Sequence, residues 1–503
     1  MDQPVRIRLE PLGEVIEVAS GTPLKDVLFL RGVEFPCGGH GRCKRCRIKV
    51  LAGNLPIAAA EESLLSPGEL AEGWRLACHA RPETAVTLEV AQWETAILAD
   101  DSTFDFTPGE GLGIAVDLGT TTLVAQLLDL STGRTLAVSS TLNPQATCGA
   151  DIMSRVQYAV LENGQHRLEA FIRGAIGRLI RNLLQGWTGP EAPPVRRITI
   201  VGNTVMHHLF CGIDVTPLSR VPFEPVRDGL EVFRATDLGW EIAGDAPVNF
   251  LPCLGGFVGS DILAGFLATR MQESDALVGL IDLGTNGEIA FGTRDRIICA
   301  STAAGPAFEG GLISMGMRAS TGAITEVTAS DGGLQCRVIG NASPRGICGS
   351  GLVDAVAVGL EHGYVQPNGR LPGPSHRFPL CPPVELTQGD IRQLQLAKGA
   401  VAAGIRIILA RLGASPSDVQ RVYLAGAFGN YINRTSARRI GLIDFPNDVV
   451  EPAGNTALLG AKLALFTPDI DFASIRARVQ HIVLSADPNF EEIYVGEMGF
   501  PTA

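Results

Sequence analysis

A strand, the turn Asp-Leu-Gly-Thr and a second strand occur together twice in this chain. The first copy is GIAVDLGTTTLVAQLLDL at 113–130 and the second is VGLIDLGTNGEIAFG at 278–292. Their aspartates, Asp117 and Asp282, lie 165 residues apart. Apolar runs flanking a short polar turn read as buried strands joined in a hairpin. One such unit used twice at domain-scale spacing predicts two lobes of similar fold. Strands alternating with amphipathic stretches, such as 151–185 and 390–412, predict α/β layers in both. The lobes are expected at 111–275 and 276–503.

The turn has the chemistry of a phosphate cradle. Gly119 lets a phosphate approach the backbone, and Thr120, Thr121 and Thr122 offer hydroxyls and amides. Asp117 stands where it can hold a Mg²⁺-bound water. Asp282, Gly284, Thr285 and Asn286 repeat the set. Two such hairpins can grip one triphosphate across a cleft, and cleft closure can then couple to hydrolysis. A third block, RVYLAGAFG at 421–429, is a strand entering a glycine-rich turn. Alone it is an ordinary strand-to-helix turn. Beside two hairpins, its Gly426, Ala427, Phe428 and Gly429 read as the passage for adenosine, so ATP is the expected nucleotide.

Other signals leave two readings open. Gly202-Asn203-Thr204, the Gly305-Pro306 turn before Glu309, and CGSG at 348–351 can touch nucleotide or serve packing. Gln145 and Asp151 can orient a hydrolytic water, though Asp151 also fits a helix cap. Asp117, Asp282 and Asp151 are thus the candidate catalytic residues. His207 and His208 are adjacent and would face differently on a helix, so core or capping roles are expected of them.

Residues 1–92 form a different unit. Val5, Ile7 and Leu9 alternate with polar residues, and Val15, Ile16 and Val18 follow a turn, as in a hairpin. Thr22 and Pro23 open a short helix expected to reach about Arg31. Strands are expected at 47–51 and 85–90, making a β-grasp arrangement. Between them lie Cys37, Cys43, Cys46 and Cys78, spaced C-x5-C-x2-C with 31 residues before the fourth. Three thiolates on a glycine-rich loop and a distant fourth suit a [2Fe–2S] cluster. A zinc site with the same ligands is the weaker reading, because structural zinc commonly uses two C-x2-C pairs. Arg42, Lys44, Arg45, Arg47 and Lys49 make a local basic patch, either a solvated strand edge or a seat for an acidic redox partner. Residues 93–110 read as a linker.

The chain is 46% hydrophobic, 19% charged and carries a formal net charge of -12. That balance argues for a globular protein and against nucleic acid or an anionic membrane as its partner. The apolar stretch 397–412 is interrupted by Lys398, Arg406 and Arg411, so a buried helix is expected there. Gln366 to Pro383 reads as a surface excursion. The N-terminus lacks the features of a signal peptide, so a cytoplasmic protein is expected. In that compartment disulfides are not expected, and the seven cysteines outside the cluster read as small buried apolar residues.

The three nucleotide blocks, in this order, resemble the actin, sugar-kinase and Hsp70 ATPase superfamily. With the cysteine loop they resemble the reductive activators of corrinoid proteins. Nearly the whole chain carries the resemblance: the four cysteines, DLGTTT at 117–122, GNTVMHHL at 202–209, PCLGGFVGSD at 252–261, DLGTNGE at 282–288 and LAGAFGNYI at 424–432. It implies a β-grasp ferredoxin domain of α+β class, followed by a two-lobed α/β ATPase of actin-like, RNase H-like repeats. It further implies ATP-dependent reduction of a Co(II) corrinoid protein of a methyltransferase system to Co(I), fed by an upstream low-potential electron donor. Dimerisation is left open. Such a step is physically demanding: plant-type clusters sit near roughly -400 mV, and an electron moved uphill by ~200 mV costs about 5 kcal/mol. Differential binding coupled to ATP hydrolysis can supply that gap. A small-molecule kinase, or a nucleotide-sensing protein with an appended ferredoxin domain, is the alternative.

Overall fold

The computed structural model describes residues 4–10, 14–29, 46–62, 64–90, 106–187, 193–242, 245–284, 286–330 and 333–502. Cys37, Cys43, Thr285 and the basic residues Arg42, Lys44 and Arg45 lie outside them, as do residues 93–105 of the expected linker.

The N-terminal unit is one mixed sheet. Its strands are β1 (Val5–Glu10), β2 (Glu14–Val18), β3 (Arg47–Gly53), β4 (Trp74–Leu76) and β5 (Val86–Val90), in the order β2-β1-β5-β3-β4. β1 and β5 run parallel and β1 and β2 form the expected hairpin. Ile7, Leu9, Leu24, Leu28, Ile48, Leu76 and Leu88 are buried together, the outcome of one-face alternation in each strand. The helix is shorter at its start than the sequence suggests. It spans Leu24–Phe29, and the Thr22 hydroxyl donates back to the Ala19 carbonyl instead of capping it.

The doubled aspartate unit produces a doubled sheet. The first lobe contains β6 (Leu112–Leu118), β7 (Thr122–Asp129), β8 (Thr135–Leu142), β9 (Val195–Val201), β10 (Glu231–Arg234) and β11 (Pro247–Phe250), in the order β10-β11-β9-β6-β7-β8. In the second, β12 (Val278–Leu283), β13 (Gly287–Gly292) and β14 (Ile297–Thr302) repeat β6, β7 and β8. Strands Arg421–Ala425 and Val450–Gly454 stand where β9 and β11 stand in the first lobe. The senses match as well: each aspartate strand is antiparallel to the next strand and parallel to the later one. The register agrees to the residue, for Asp117 faces Val201 and Asp282 faces Ala425 at the ends of those parallel pairs.

Two apolar helices, Ser260–Thr269 and Thr456–Phe466, lie against each other between the lobes. They bury Ile262, Leu263, Phe266, Leu458, Ala461 and Leu465 with Val278 and Leu280 in one core shared by both sheets. The helix Gln388–Leu412 has the length and composition to cross a membrane, but most of it is buried in the second-lobe core.

Two expectations are corrected. Cys336 and Cys381 are joined in a disulfide, so these two cysteines are not isolated buried thiols. The 366–383 segment is not a plain surface excursion, since Leu371, Phe378 and Leu380 are buried and Arg377–Pro379 pairs with Glu385–Thr387. Polar and proline-rich composition concealed those apolar anchors.

The ferredoxin-like unit touches both lobes. Leu142, at the end of β8, is buried in its core with Ala146 packed alongside, and Arg345 of the second lobe pairs with Glu89 on β5. After the undescribed stretch the chain rejoins the body at Phe106, whose ring lies 4.7 Å from that of Phe466.

Candidate active site: a cleft between two aspartate hairpins

Asp117, Gly119, Thr120, Thr121 and Thr122 from the first lobe line one cleft with Asp282, Gly284, Asn286, Gly426 and Phe428 from the second. Its volume is about 310 Å³. The first hairpin turn is built for close approach. A Cβ on Gly119 would sit 2.6 Å from the Thr122 carbonyl oxygen, so only glycine fits there. The Asn143 side chain donates to the Gly119 carbonyl at 3.0 Å, while its backbone amide donates to Thr121 O at 2.8 Å. Asn203 caps the helix Thr204–Cys211 and donates to Thr120 Oγ1 at 3.0 Å. Gly202 and Gly426 occupy matching places after their strands. Added Cβ atoms there would come within 2.7 Å of the Leu118 carbonyl and 2.9 Å of the Leu283 carbonyl.

Five carboxylates line this cleft, Asp117, Asp261, Asp282, Glu288 and Glu309, and the first four act on one another. Burial, opposed by a hydrogen bond from Asn455, raises Asp117 to about 6. Burial and then the Asp117 charge raise Asp282 to about 7. Burial and then Asp282 raise Asp261 to about 7, and burial with Asp261 pushes Glu288 well above the usual carboxylate range. Such like-charge crowding is relieved by a bound cation. Among the described residues no three histidine, cysteine or acidic side chains close around a single metal position. Carboxylates such as Asp117 and Asp282 are donors of the kind Mg²⁺ takes, one or two at a time, together with its waters and substrate phosphates.

Several expected residues are elsewhere. Asp151 is not brought to the cleft. It caps the helix Ile152–Leu161, accepting from Ser154 N at 2.8 Å while the Ser154 hydroxyl bonds back. That local capping box outcompetes the water-orienting role. Gln145 is fully buried, donating to Leu168 O and accepting from Arg155. Gly305 has φ +73° and turns the chain into Pro306–Glu309, so that Phe308 and Glu309, not Gly305, reach the lining. Gly429 lies in the helix Gly426–Tyr431 and is not among the lining residues; the Ala427 side chain lies outside the described ones. His207 and His208 are buried; His207 Nε2 meets Gly229 O at 3.2 Å and His208 Nδ1 meets Thr204 O at 2.9 Å. His207 thus ties the 204–211 helix to the 229 segment, while His208 bonds back within its own helix.

Residues that sequence reasoning missed are Asp261, Glu288 and Asn455. Asp261 and Glu288 both lie in quoted motifs, PCLGGFVGSD and DLGTNGE; Glu288 sits opposite Asp282 across the expected hairpin, whereas nothing local shows that Asp261 faces it. Asn455 looks like a plain helix cap. Phe308 and Phe428 stack with centroids 4.7 Å apart at the cleft wall.

In the ferredoxin-like unit, Cys46 is buried at the head of β3 and Cys78 is half-buried just beyond β4. Ala77 N donates to the Cys46 carbonyl at 2.8 Å. That bond brings the loop's last cysteine beside the distant fourth, as a shared cluster requires. Arg47 and Lys49 lie over the Trp74 ring at 5.3 and 5.4 Å, and Arg47 also pairs with Glu69 at 3.0 Å.

Comparisons with known proteins follow these divisions. Residues 7–83 match the 2Fe-2S iron-sulfur cluster binding domain, 112–274 the RACo middle region, and 276–503 the C-terminal domain of RACo, the ASKHA domain. The chain is 30% identical to the corrinoid activation enzyme RamQ of Eubacterium limosum over 98% of each protein. It is 28% identical to the [Co(II) methylated amine-specific corrinoid protein] reductase of Methanosarcina barkeri, covering 78% of this chain and 77% of the relative. A solved structure, a reductive activator for corrinoid, iron-sulfur protein, superposes with TM-score 0.69 and 25% identity over 99% of this chain and 98% of that one. With its β-grasp unit, its two matching lobes and this full-length likeness, the chain belongs to the RACo family of reductive activators of corrinoid proteins.

Proposed function

We propose that this chain is an ATP-dependent activator that passes one electron to a Co(II) corrinoid protein of a methyltransferase system and returns it to Co(I). The observation that carries the proposal is the seating of one electron-transfer unit on both lobes of one nucleotide cleft, through Leu142 and through the Glu89–Arg345 pair. A [2Fe–2S] cluster on Cys37, Cys43, Cys46 and Cys78 supplies one-electron storage, and Mg²⁺ supplies charge neutralisation at the phosphates.

The chain's own residues do the rest. Gly119 and Gly284 admit the phosphates to the backbone, and Thr120, Thr121 and Asn286 surround them with donors. Asp117 and Asp282, which both line the cleft, would hold the hydrated cation. Leu142 is next to Asn143, which bonds both Gly119 and Thr121. A phosphate-driven change in that turn therefore reaches the seat of the ferredoxin-like unit in one residue. Hydrolysis of ATP to ADP and phosphate changes the lobe angle, and with it the relative affinity for Co(II) and Co(I) partner. An upstream low-potential donor recharges the unit.

The test is phosphate release from ATP with no small-molecule acceptor present, with and without a Co(II) corrinoid protein. Stimulation by the corrinoid protein is expected. Hydrolysis that instead requires a sugar or other acceptor supports the kinase alternative.

A further inference from the structure

Two helices cross between the lobes, and each begins beside the other lobe's aspartate. Ser260–Thr269 follows first-lobe strand β11 and carries Asp261 near enough to Asp282 for their charges to repel. Thr456–Phe466 follows second-lobe strand Val450–Gly454 and begins at Asn455, beside Asp117. The helices touch backbone to backbone: a Cβ on Gly460 would come within 2.0 Å of the Ala264 carbonyl oxygen. At its far end the second helix is pinned to the first lobe, where Arg197 donates to Leu465 O at 3.1 Å.

Asn455 uses both ends of its amide. Oδ1 accepts from Leu458 N at 2.8 Å and caps the helix. Nδ2 donates to Asp117 Oδ2 at 3.0 Å, across 338 residues of sequence and from one lobe to the other. Serine, threonine or aspartate would cap equally well. A hydroxyl is too short to do both, however, and a carboxylate has no proton to donate and would repel Asp117. Because the cap fixes Oδ1, Nδ2 has one direction left.

We propose that Asn455 is a positioning residue that, from the second lobe, holds the Asp117 carboxylate of the first lobe in its cleft-facing orientation. Asp117 is then aimed when the lobes are together and released when they part. The proposal rests on the nucleotide reading of the cleft. Hydrogen bonds to a charged group are the strong ones, and loss of one is expected to lower turnover by about ten- to a hundredfold.

Three variants of the full chain separate capping from positioning. Asn455→Ser keeps the cap and loses the reach, Asn455→Asp keeps the cap and adds a like charge, and Asn455→Ala loses both. In Mg²⁺-dependent ATP hydrolysis, Asn455→Ser is expected to lose kcat tenfold or more with KM nearly unchanged and Tm within about 2 °C of wild type. Asn455→Asp is expected to be slower still, and Asn455→Ala as slow as serine but less stable. Amide hydrogen exchange of residues 117–122, without nucleotide, is expected to quicken in Asn455→Ser. A wild-type kcat in Asn455→Ser overturns the assignment whatever the exchange shows. If the wild-type chain hydrolyses no ATP, the nucleotide reading fails and exchange decides alone: faster exchange keeps the clasp, and unchanged exchange overturns it.

Discussion

Alanine at Gly426 is expected to disable the cleft, whereas alanine at Gly429, three residues on, is expected to be harmless. Gly426 has φ +81°, a left-handed conformation that costs a residue with a Cβ about 1–2 kcal/mol. The new Cβ would also lie 2.5 Å from Asp282 Oδ1 and 2.9 Å from the Leu283 carbonyl oxygen. The Leu283 carbonyl belongs to the sheet, so the Asp282 carboxylate must turn, at about 0.5–1.5 kcal/mol for a poor rotamer. The sum is about 1.5–3.5 kcal/mol against the native arrangement. More important, the carboxylate leaves its place, and misplacement of a reacting group by ~1 Å costs on the order of a hundredfold in rate. At Gly429 the nearest atoms to an added Cβ are the Leu424 carbonyl carbon at 3.3 Å and its Cβ at 3.5 Å. That tight fit is offset by the gain of about 1 kcal/mol for alanine over glycine inside a helix. Phosphate release and thermal melting of both variants decide the matter. Gly426→Ala is expected to lose about two orders of magnitude in turnover and Gly429→Ala to stay near wild type. Wild-type turnover in Gly426→Ala would refute the placement of Asp282 in the reaction.

Three further outcomes are expected. Asp117→Asn and Asp282→Asn should each abolish Mg²⁺-dependent hydrolysis without lowering Tm, because burial already disfavours both charges; a kcat near wild type in both contradicts the cleft assignment. Cys43→Ser or Cys46→Ser should bleach the iron–sulfur absorbance while nucleotide affinity, measured by calorimetry, stays within a factor of a few. Burial and the neighbouring His208 lower the His207 pKa to about 4. Its folded pKa thus lies below its unfolded value, and the stability it carries at pH 7 is lost as pH falls from about 6.5 towards 4. Between pH 7 and pH 5 the loss is roughly 2 kcal/mol, so His207→Gln should flatten the acid limb of urea-denaturation midpoints; an unaltered limb counts against it.

The repeated hairpin made the two-lobed plan legible, because strand periodicity and a glycine turn are local properties. Sheet order and register were not legible in it; the structure supplies them, and they agree between the lobes. The cysteine spacing was legible for the same reason: it is a local pattern, and it falls within the residues that match the 2Fe-2S domain. What stayed hidden was made by tertiary contact. Asn455 and Asp117 are far apart in sequence, and a lone asparagine before an apolar helix signals only a cap. Asp261 likewise precedes an apolar helix, and nothing nearby shows that it faces Asp282. Asp151 misled in the opposite direction. It stands near the nucleotide motifs in sequence, yet Ser154 three residues later marks the capping box that occupies it. The Cys336–Cys381 bridge joins a hairpin to a segment whose proline-rich composition disguises its buried leucines and phenylalanine.

The most direct measurement is the cobalt spectrum of a Co(II) corrinoid protein mixed anaerobically with catalytic amounts of this chain and excess reductant, with and without MgATP. The proposed coupling predicts that the Co(I) spectrum builds only when MgATP is present, and that Cys46→Ser and Asp282→Asn each prevent it. Equal formation of Co(I) without nucleotide, or in the Asp282→Asn chain, would show that the cleft does not drive the electron and would contradict the proposed function.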